Sequence, residues 1–205
     1  MKQLFLLLFL ALSFAPNTFS QSGRRVSSPA PTQASAPIQP PLTAEPEARP
    51  APPPALLFLP EALREHEIRG LDNTTFRIED FHGKIVVINI WASWCGPCRR
   101  EIPEYEKVRK SFQGHPVEFV GLTSEDPRTA GEKVNRFVRE TSFGFRLGWA
   151  DRELARTLMD SRGAIPQTLV IDGDGRVLNH WSGYSSGQSG SRLKEAIERA
   201  LKGRD

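Results

Sequence analysis

The sequence predicts an α/β fold, with a central mixed β-sheet flanked by helices. Residues 85–90, Ile-Val-Val-Ile-Asn-Ile, are almost entirely apolar, which is typical of a strand buried on both faces of a sheet. Apolar residues then recur at the spacing of one helical face: Ile102, Tyr105, Val108 and Phe112. Near the end of the chain, a mostly apolar strand at 168–171 and a returning strand at 177–181 flank an Asp-Gly-Asp-Gly turn. Strands that alternate with helices predict parallel pairs, and the hairpin that follows them predicts an antiparallel pair, so the sheet should be mixed.

The remaining elements follow from the same apolar patterns. His66–Gly70 and Thr74–Ile78 predict an N-terminal β-hairpin. Residues 117–122 predict a second core strand, and an amphipathic helix begins near Pro127. Shorter patterns predict a strand at 145–149, a helix around 154–159 and a closing helix at 193–201.

The first 20 residues predict export from the cytoplasm. After Lys2, a mostly apolar run from Leu4 to Ala15 is shorter than the roughly 20 residues that span a bilayer. Small residues around Ser20 supply a cleavage point, so residues 1–20 are predicted to be a secretory signal peptide, with an uncleaved membrane anchor as the alternative. No cysteine stands directly after this apolar run, which excludes a lipoprotein anchor. The predicted location is the periplasm, with residues 1–20 as a candidate membrane tether.

Residues 21–55 are rich in Pro, Ala, Ser and Gln, and they contain too few large apolar side chains to form a core. This composition predicts a disordered, semi-extended linker, or else a ligand of a proline-recognition module. Residues 56–205 then form the predicted globular domain. The formal net charge is +3, of which Lys2 and the linker each contribute one unit. The domain therefore carries about +1 and has no dense basic stripe, which argues against nucleic-acid binding.

Both cysteines of the chain, Cys95 and Cys98, lie in residues 91–103, Trp-Ala-Ser-Trp-Cys-Gly-Pro-Cys-Arg-Arg-Glu-Ile-Pro. Pro97 suits a first helical turn, where its missing N–H has no consequence. Cys95 is therefore expected at or just before a helix N-terminus, where unpaired N–H groups and the helix dipole favour the thiolate. Because the thiolate is the reactive nucleophile, the segment predicts a redox site.

Three other interpretations of the cysteine pair are weaker. A purely structural disulfide would close a loop of only four residues, worth about 2 kcal/mol in the loop-entropy model. A zinc site would need further ligands, but no other cysteine exists and the four histidines are scattered, so no metal site is predicted. If the two cysteines were inert and buried, nothing would explain why Trp94, Gly96 and Pro97 stand beside them.

The segment Trp-Ala-Ser-Trp-Cys-Gly-Pro-Cys-Arg-Arg-Glu resembles the active-site segment of the thioredoxin superfamily. The trailing Glu101, Ile102 and Pro103 are similar to its periplasmic TlpA/ResA/CcmG branch, and the resemblance covers about Ile68 to Leu201. It implies a thioredoxin-like sandwich with an N-terminal hairpin and a strand–helix insertion. It also implies a thiol–disulfide oxidoreductase that needs no cofactor beyond its redox-active Cys95–Cys98 disulfide.

We expect Cys95 to be the exposed, attacking thiol and Cys98, one helical turn further on, to be the more buried resolving thiol. The resemblance further implies that the Ile165–Pro166 bond is cis and packs against the cysteines, leaving the Ile165 backbone free to pair with a substrate. Trp94 is expected to shape the docking surface, together with Gly96 and Pro97.

Glu101 follows Cys98 by three residues, on the same helical face. From the spacing alone, Glu101 is either a proton acceptor in catalysis or a solvated residue that pairs with a nearby arginine. The resemblance implies the first role. Asn89 departs from thioredoxin itself, which has a buried aspartate at the matching strand position. Since Asn cannot titrate, that role is absent here or passes to Glu101.

The dipeptide Gly96-Pro97 is that of thioredoxin, whose potential is near −270 mV, against about −120 mV for the oxidant DsbA. The sequence therefore predicts a reductase of disulfides in periplasmic proteins, and the resemblance implies apocytochrome c or a copper chaperone as substrate. A DsbD/CcdA-like membrane carrier would return the electrons. The alternatives are a disulfide oxidase or isomerase, and a non-enzymatic Cu(I)-binding module. A peroxidase fits less well because the two cysteines are so close.

Overall fold

A computed structural model describes residues 57–160 and 162–203 of the chain. The predicted signal peptide at 1–20 and the predicted linker at 21–55 lie outside the described residues. Among the helices of the described part, none is long and apolar enough to cross a membrane.

Seven strands form one mixed sheet in the order β2-β1-β5-β4-β3-β6-β7. The strands are β1 Ile68–Gly70, β2 Thr75–Phe76, β3 Ile85–Trp91, β4 Val117–Thr123, β5 Arg146–Trp149, β6 Gln167–Ile171 and β7 Val177–Ser182. Strands β3, β4 and β5 run parallel, whereas every other neighbouring pair is antiparallel. The predicted thioredoxin-like α/β sandwich with an N-terminal hairpin is confirmed.

In the described part of the chain, five α-helices flank the sheet: α1 Glu61–Arg64, α2 Gly96–Ser111, α3 Pro127–Thr141, α4 Arg152–Leu158 and α5 Ser189–Lys202. Helix α3 begins where its pattern predicts, because Asp126 caps the Arg128 N–H and Pro127 occupies the first turn. Asp151 caps α4 in the same way by accepting the Leu154 N–H at 2.8 Å. The strand–helix unit β4–α3 that was predicted after the cysteine helix is present.

The alternation of side chains along β3 divides the core into two layers. Ile85, Val87 and Trp91 point toward one face, where they pack with buried residues of α2, α3 and α5. Val86, Ile88 and Ile90 point toward the other face, which the hairpin, α1 and α4 cover. All seven residues of β3 are buried, as an almost wholly apolar strand predicts. By the same alternation Asn89, the polar member of the strand, faces the cysteine helix α2.

The N-terminal hairpin is shorter than its sequence pattern predicts. Strand β2 ends at Phe76, and Ile78 starts a 3₁₀ helix that runs to Phe81. Asp80 stabilises this turn by accepting the Arg77 N–H at 2.7 Å, while Ile78 and Phe81 are buried beneath it. The strand predicted as far as Ile78 is therefore wrong over its last residues.

The apolar residues just before Pro60 pack under the domain only in part. Leu59 is buried and its N–H donates to the Gly175 carbonyl at 2.8 Å. Leu57 and Phe58 are each 59% exposed. The backbone before Leu59 is attached as well, because the Val177 N–H donates to the Leu57 carbonyl at 2.9 Å and Phe58 forms an antiparallel bridge with Arg176. Only the side chains of Leu57 and Phe58 remain in solvent.

Gly148→Ala tests how closely the hairpin packs on β5. A Cβ atom at Gly148 would lie 2.6 Å from Ile68 Cγ2 and 3.1 Å from the Phe76 ring. Because these side chains are buried, we expect the substitution to destabilise the fold by about 1–3 kcal/mol, measured by urea unfolding. Gly131→Ala is the control, since its Cβ would meet nothing within 4 Å inside α3. It should stabilise the protein by about 0.5–1 kcal/mol, and equal effects of the two substitutions would contradict the packing described.

Candidate active site

The cysteine pair sits where β3 ends and α2 begins. Cys95 has extended backbone and is the N-cap of the 16-residue helix α2, with Pro97 in the first turn. The Cys98 N–H donates to Cys95 Sγ at 3.1 Å, and the two sulfur atoms are joined in a disulfide. Cys95 Sγ thus occupies the position of a capping acceptor at the positive end of a helix dipole, as the sequence predicts.

Both cysteines are buried in this oxidised form. Cys98 is 0% exposed and Cys95 is 4% exposed, so the order of exposure is as predicted, but the expectation of an exposed Cys95 is wrong. The physical reason is the capping position, because the Cys95 side chain turns back toward the helix to reach the Cys98 sulfur and N–H. The residues beside it are open, with Trp94 72% exposed and both Gly96 and Pro97 exposed.

Pro166 lies next to the cysteine turn through the pairing of β6 with β3. The register joins Ile90 to Gln167, so the residue before Gln167 falls at the end of β3 that leads into the cysteines. Pro166 is buried and the Ile165–Pro166 bond is cis, in agreement with what the resemblance implies. Ile165 is half-buried, and the described residues provide no hydrogen-bond partner for its backbone N–H or carbonyl.

A buried polar network lies under the first turns of α2. Asn89 Nδ2 donates to Glu101 Oε2 at 2.9 Å and to Thr168 Oγ1 at 3.2 Å. The Tyr105 hydroxyl lies 3.1 Å from Thr168 Oγ1 and accepts the Trp181 indole N–H at 3.2 Å. Asn89, Glu101 and Thr168 are fully buried. The sequence does not predict that the network extends through Thr168 and Tyr105, since the network joins four separate elements, β3, α2, β6 and β7.

Burial raises the pKa of Glu101 from 4.5 to about 7, against the opposing effect of the hydrogen bond from Asn89. Burial also raises the pKa of Tyr105, with the charge of Glu101 adding to the effect, so this phenol stays protonated. Glu101 therefore sits one turn beyond Cys98 as a carboxyl group that can take up or release a proton near neutral pH. The alternative of a solvated residue paired with an arginine is wrong, because Arg99 pairs with Glu140 at 2.6 Å instead.

Glu125, which sequence reasoning missed, holds the segment just before Cys95. Its carboxylate accepts the Ser93 N–H and, at 2.8 Å, the Ser93 hydroxyl. The Ser124 N–H also donates to the Trp91 carbonyl at 3.1 Å. The parallel register that joins Trp91 to Thr123 is what brings these loops together. The sequence does contain one indication of this contact. Parallel strands present their carboxyl ends at the same edge of a sheet, so the residues after β4 are expected beside the cysteine segment that follows β3.

The profile of the AhpC/TSA family matches residues 61–180, which is more than half of the chain. The chain belongs to the AhpC/TSA family. It is 26% identical over 137 residues to the thiol-disulfide oxidoreductase ResA of Bacillus thuringiensis subsp. konkukian, covering 66% of this chain and 72% of that protein. It is 30% identical over 125 residues to ResA of Geobacillus kaustophilus, covering 61% of this chain and 66% of the relative.

A thiol:disulfide interchange protein of the thioredoxin family from Chlorobium tepidum has a similar structure. The TM-score is 0.58 at 25% identity, over 66% of this chain and 92% of that one. StoA from Bacillus subtilis shares the fold, with a TM-score of 0.51 at 18% identity over 64% of this chain and 94% of that one. The resemblance to the TlpA/ResA/CcmG branch is confirmed, and the protein is a thiol–disulfide oxidoreductase of the thioredoxin fold.

Glu101→Gln tests the raised pKa through the stability of the oxidised protein. Below about pH 4.5 the carboxyl is protonated in the folded and unfolded chains alike, so burial brings no penalty. As pH rises to about 7 the unfolded chain loses its proton first, and wild-type stability falls. We therefore expect the variant to gain up to about 3 kcal/mol over wild type across this range, measured by urea unfolding.

Glu104→Gln is the control for this measurement and should change stability in the opposite sense. Against the effect of burial, hydrogen bonds from Tyr184 and the Gly190 N–H lower the pKa of Glu104. Its carboxylate therefore stabilises the fold above its unfolded pKa, and the variant should fall below wild type as pH rises. A flat difference between Glu101→Gln and wild type would contradict the buried carboxyl.

Proposed function

We propose that this protein is exported and reduces disulfides in other periplasmic proteins, with Cys95 as nucleophile and Cys98 as resolving thiol. The observation that supports this best is the hydrogen bond from the Cys98 N–H to Cys95 Sγ at the start of α2. In the reduced protein, the same N–H and the helix dipole favour a thiolate on Cys95. The apolar run of residues 1–20 supports export.

The reaction is two thiol–disulfide exchanges. Cys95 thiolate attacks one sulfur of the substrate disulfide, forming a mixed disulfide and releasing the other substrate sulfur as a thiolate. Cys98 then gives up its proton and attacks Cys95 Sγ, which releases the second substrate thiolate. Two electrons pass to the substrate, and the protein is left with the Cys95–Cys98 disulfide seen in the structure. A membrane-bound dithiol carrier of the DsbD/CcdA kind would restore the dithiol by the reverse exchange.

Glu101 is proposed to take the proton from Cys98. It lies three residues further along α2, is fully buried, and has a pKa of about 7, so it is poised to accept a proton near neutral pH. Asn89 positions the carboxyl by donating to its Oε2, and it does not compete for the proton because an amide cannot titrate. The proton-acceptor role of the thioredoxin aspartate therefore passes to Glu101 in this chain.

The face around Cys95 is suited to an extended polypeptide. Trp94, Gly96 and Pro97 are exposed beside the cysteine, and the backbone of Ile165 has no partner among the described residues. A substrate strand can hydrogen-bond to that backbone and lay an apolar side chain on Trp94. Apocytochrome c and a copper chaperone of cytochrome oxidase, the substrates that the resemblance implies, are candidate partners.

Cysteine variants test the proposed roles. Cys95→Ser should reduce disulfide turnover to the level of a protein-free control, because the attacking thiolate is gone. Cys98→Ser should accumulate a covalent complex with a substrate, since the mixed disulfide can no longer be resolved. The rate of reduction of a disulfide substrate measures the first outcome, and non-reducing gel electrophoresis with mass spectrometry of an exported-protein extract measures the second. A Cys98→Ser variant that traps nothing and keeps full activity would exclude this assignment.

The reduction potential of the Cys95–Cys98 pair decides the direction of electron flow. A reductase should have a potential closer to thioredoxin, about −270 mV, than to DsbA, about −120 mV, measured by equilibration with a glutathione buffer. The shared Gly96-Pro97 dipeptide favours the low value. A potential well above about −200 mV would instead favour the alternative, an oxidase or isomerase.

A further inference from the structure

A cavity of about 820 Å³ opens beside the cysteine segment. It lies at the carboxyl ends of the parallel strands β4 and β5, between the start of α3 and helix α4, where ligands commonly bind in open α/β sheets. One contact and one sequence neighbour place it next to the active site. Glu125, one of its lining residues, holds Ser93, and Gly163, at its other side, precedes the Ile165–Pro166 bond by two residues.

The carboxylates that line this cavity already have partners. Asp126 pairs with Arg128 at 2.8 Å, Asp151 contacts His66 at 2.9 Å, and Glu125 is bound by Ser93. These contacts leave the carboxylates charged, but each is held by a partner of its own. The lining as a whole has three carboxylates against four arginines, a formal excess of one positive charge.

Two of the lining arginines, Arg152 and Arg156, have no such partner. Both are exposed, and no carboxylate of the described residues lies within 4.0 Å of either guanidinium. They are four residues apart on α4, so they stand one turn apart on the same face, where like charges repel each other slightly. The cavity thus has two neighbouring cations that no carboxylate of the described residues pairs with, in a lining whose formal charge is positive.

The rest of this cavity is largely apolar. Ala155 is buried on the same helix, while Ala150 and Met159 line the wall beside it. A free phosphate or sulfate would gain nothing from these residues, and it would meet only exposed guanidinium groups. A polypeptide segment uses both features, because an apolar side chain can pack on Ala155 and Met159 while a carboxylate reaches the arginines.

We propose that this cavity binds a segment of the substrate polypeptide that carries a carboxylate side chain next to an apolar one, close in sequence to the cysteine under attack. The inference rests on the proposed function and extends it, because it adds a second contact region beyond the face around Cys95. Arg152 and Arg156 are then specificity residues that select acidic segments. They act on substrate binding and leave the exchange steps at the sulfur atoms unchanged.

The test uses the full chain in its reduced form and disulfide-bonded peptides. One Glu is scanned through the positions on either side of the peptide cysteine, beside a fixed Leu, and each peptide has a Gln counterpart. At the best position, wild type should show a kcat/KM about five-fold higher for the Glu peptide, as expected of two exposed ion pairs. Arg152→Gln/Arg156→Gln should bring the ratio to about one while the rate with the Gln peptide stays unchanged.

Arg136→Gln/Arg139→Gln is the matched control, since it removes the same charge from exposed positions of α3 that do not line the cavity. It should keep the five-fold preference. The preference should also shrink at high ionic strength in wild type, because exposed ion pairs are screened. A preference that survives in Arg152→Gln/Arg156→Gln, that is lost equally in the control, or that appears at no Glu position overturns the inference.

A binding measurement separates this inference from the proposed function. Fluorescence anisotropy with a cysteine-free version of the best Glu peptide measures the cavity without any redox step. If wild type reduces no peptide, the proposed function is wrong, yet weaker binding by Arg152→Gln/Arg156→Gln than by the control still supports the cavity. If the Gln peptides are reduced but the cysteine-free Glu and Gln peptides bind equally, the cavity assignment is wrong and the reductase proposal stands.

Discussion

The hydrogen bond between the Cys98 N–H and Cys95 Sγ is the interaction on which the rest of the site depends. It exists because β3 delivers the chain to the start of α2 with Cys95 in the capping position. A charged acceptor in such a position gains more than a neutral one, since hydrogen bonds to charged groups are worth roughly 1.5–3 kcal/mol. The apolar strand and the long helix are therefore the supports of a single reactive sulfur atom.

The strand also determines what lies beneath the cysteines. Because side chains alternate along β3, Asn89 must face α2 once Val87 and Trp91 do so. The helical period in turn brings Glu101 to the same layer as Cys98, where Asn89 reaches its carboxyl group. A strand period of two and a helix period of 3.6 thus place one amide and one carboxyl together in a buried position. The energetic consequence is a carboxyl that holds its proton up to about neutral pH.

Most of the fold and the centre of the site could be predicted from the sequence because their signals are local. The strand at 85–90, the helix after it and the capping role of Asp126 each depend on residues within a few positions of one another. Glu125 could not be found in this way, because its contact with Ser93 spans 32 residues and depends on the β3–β4 pairing. The prediction that Cys95 is exposed is wrong for a related reason. A helix terminus is usually open to solvent, but the disulfide turns this side chain inward.

Glu125 touches both the cysteine segment, through Ser93, and the cavity beside α4. Because one carboxylate belongs to both regions, the wall of the cavity and the segment that carries Cys95 are fixed relative to each other. A polypeptide that occupies the cavity therefore meets the cysteine from a set direction. The entropy of orienting that chain is lost when it binds and not during the exchange at sulfur.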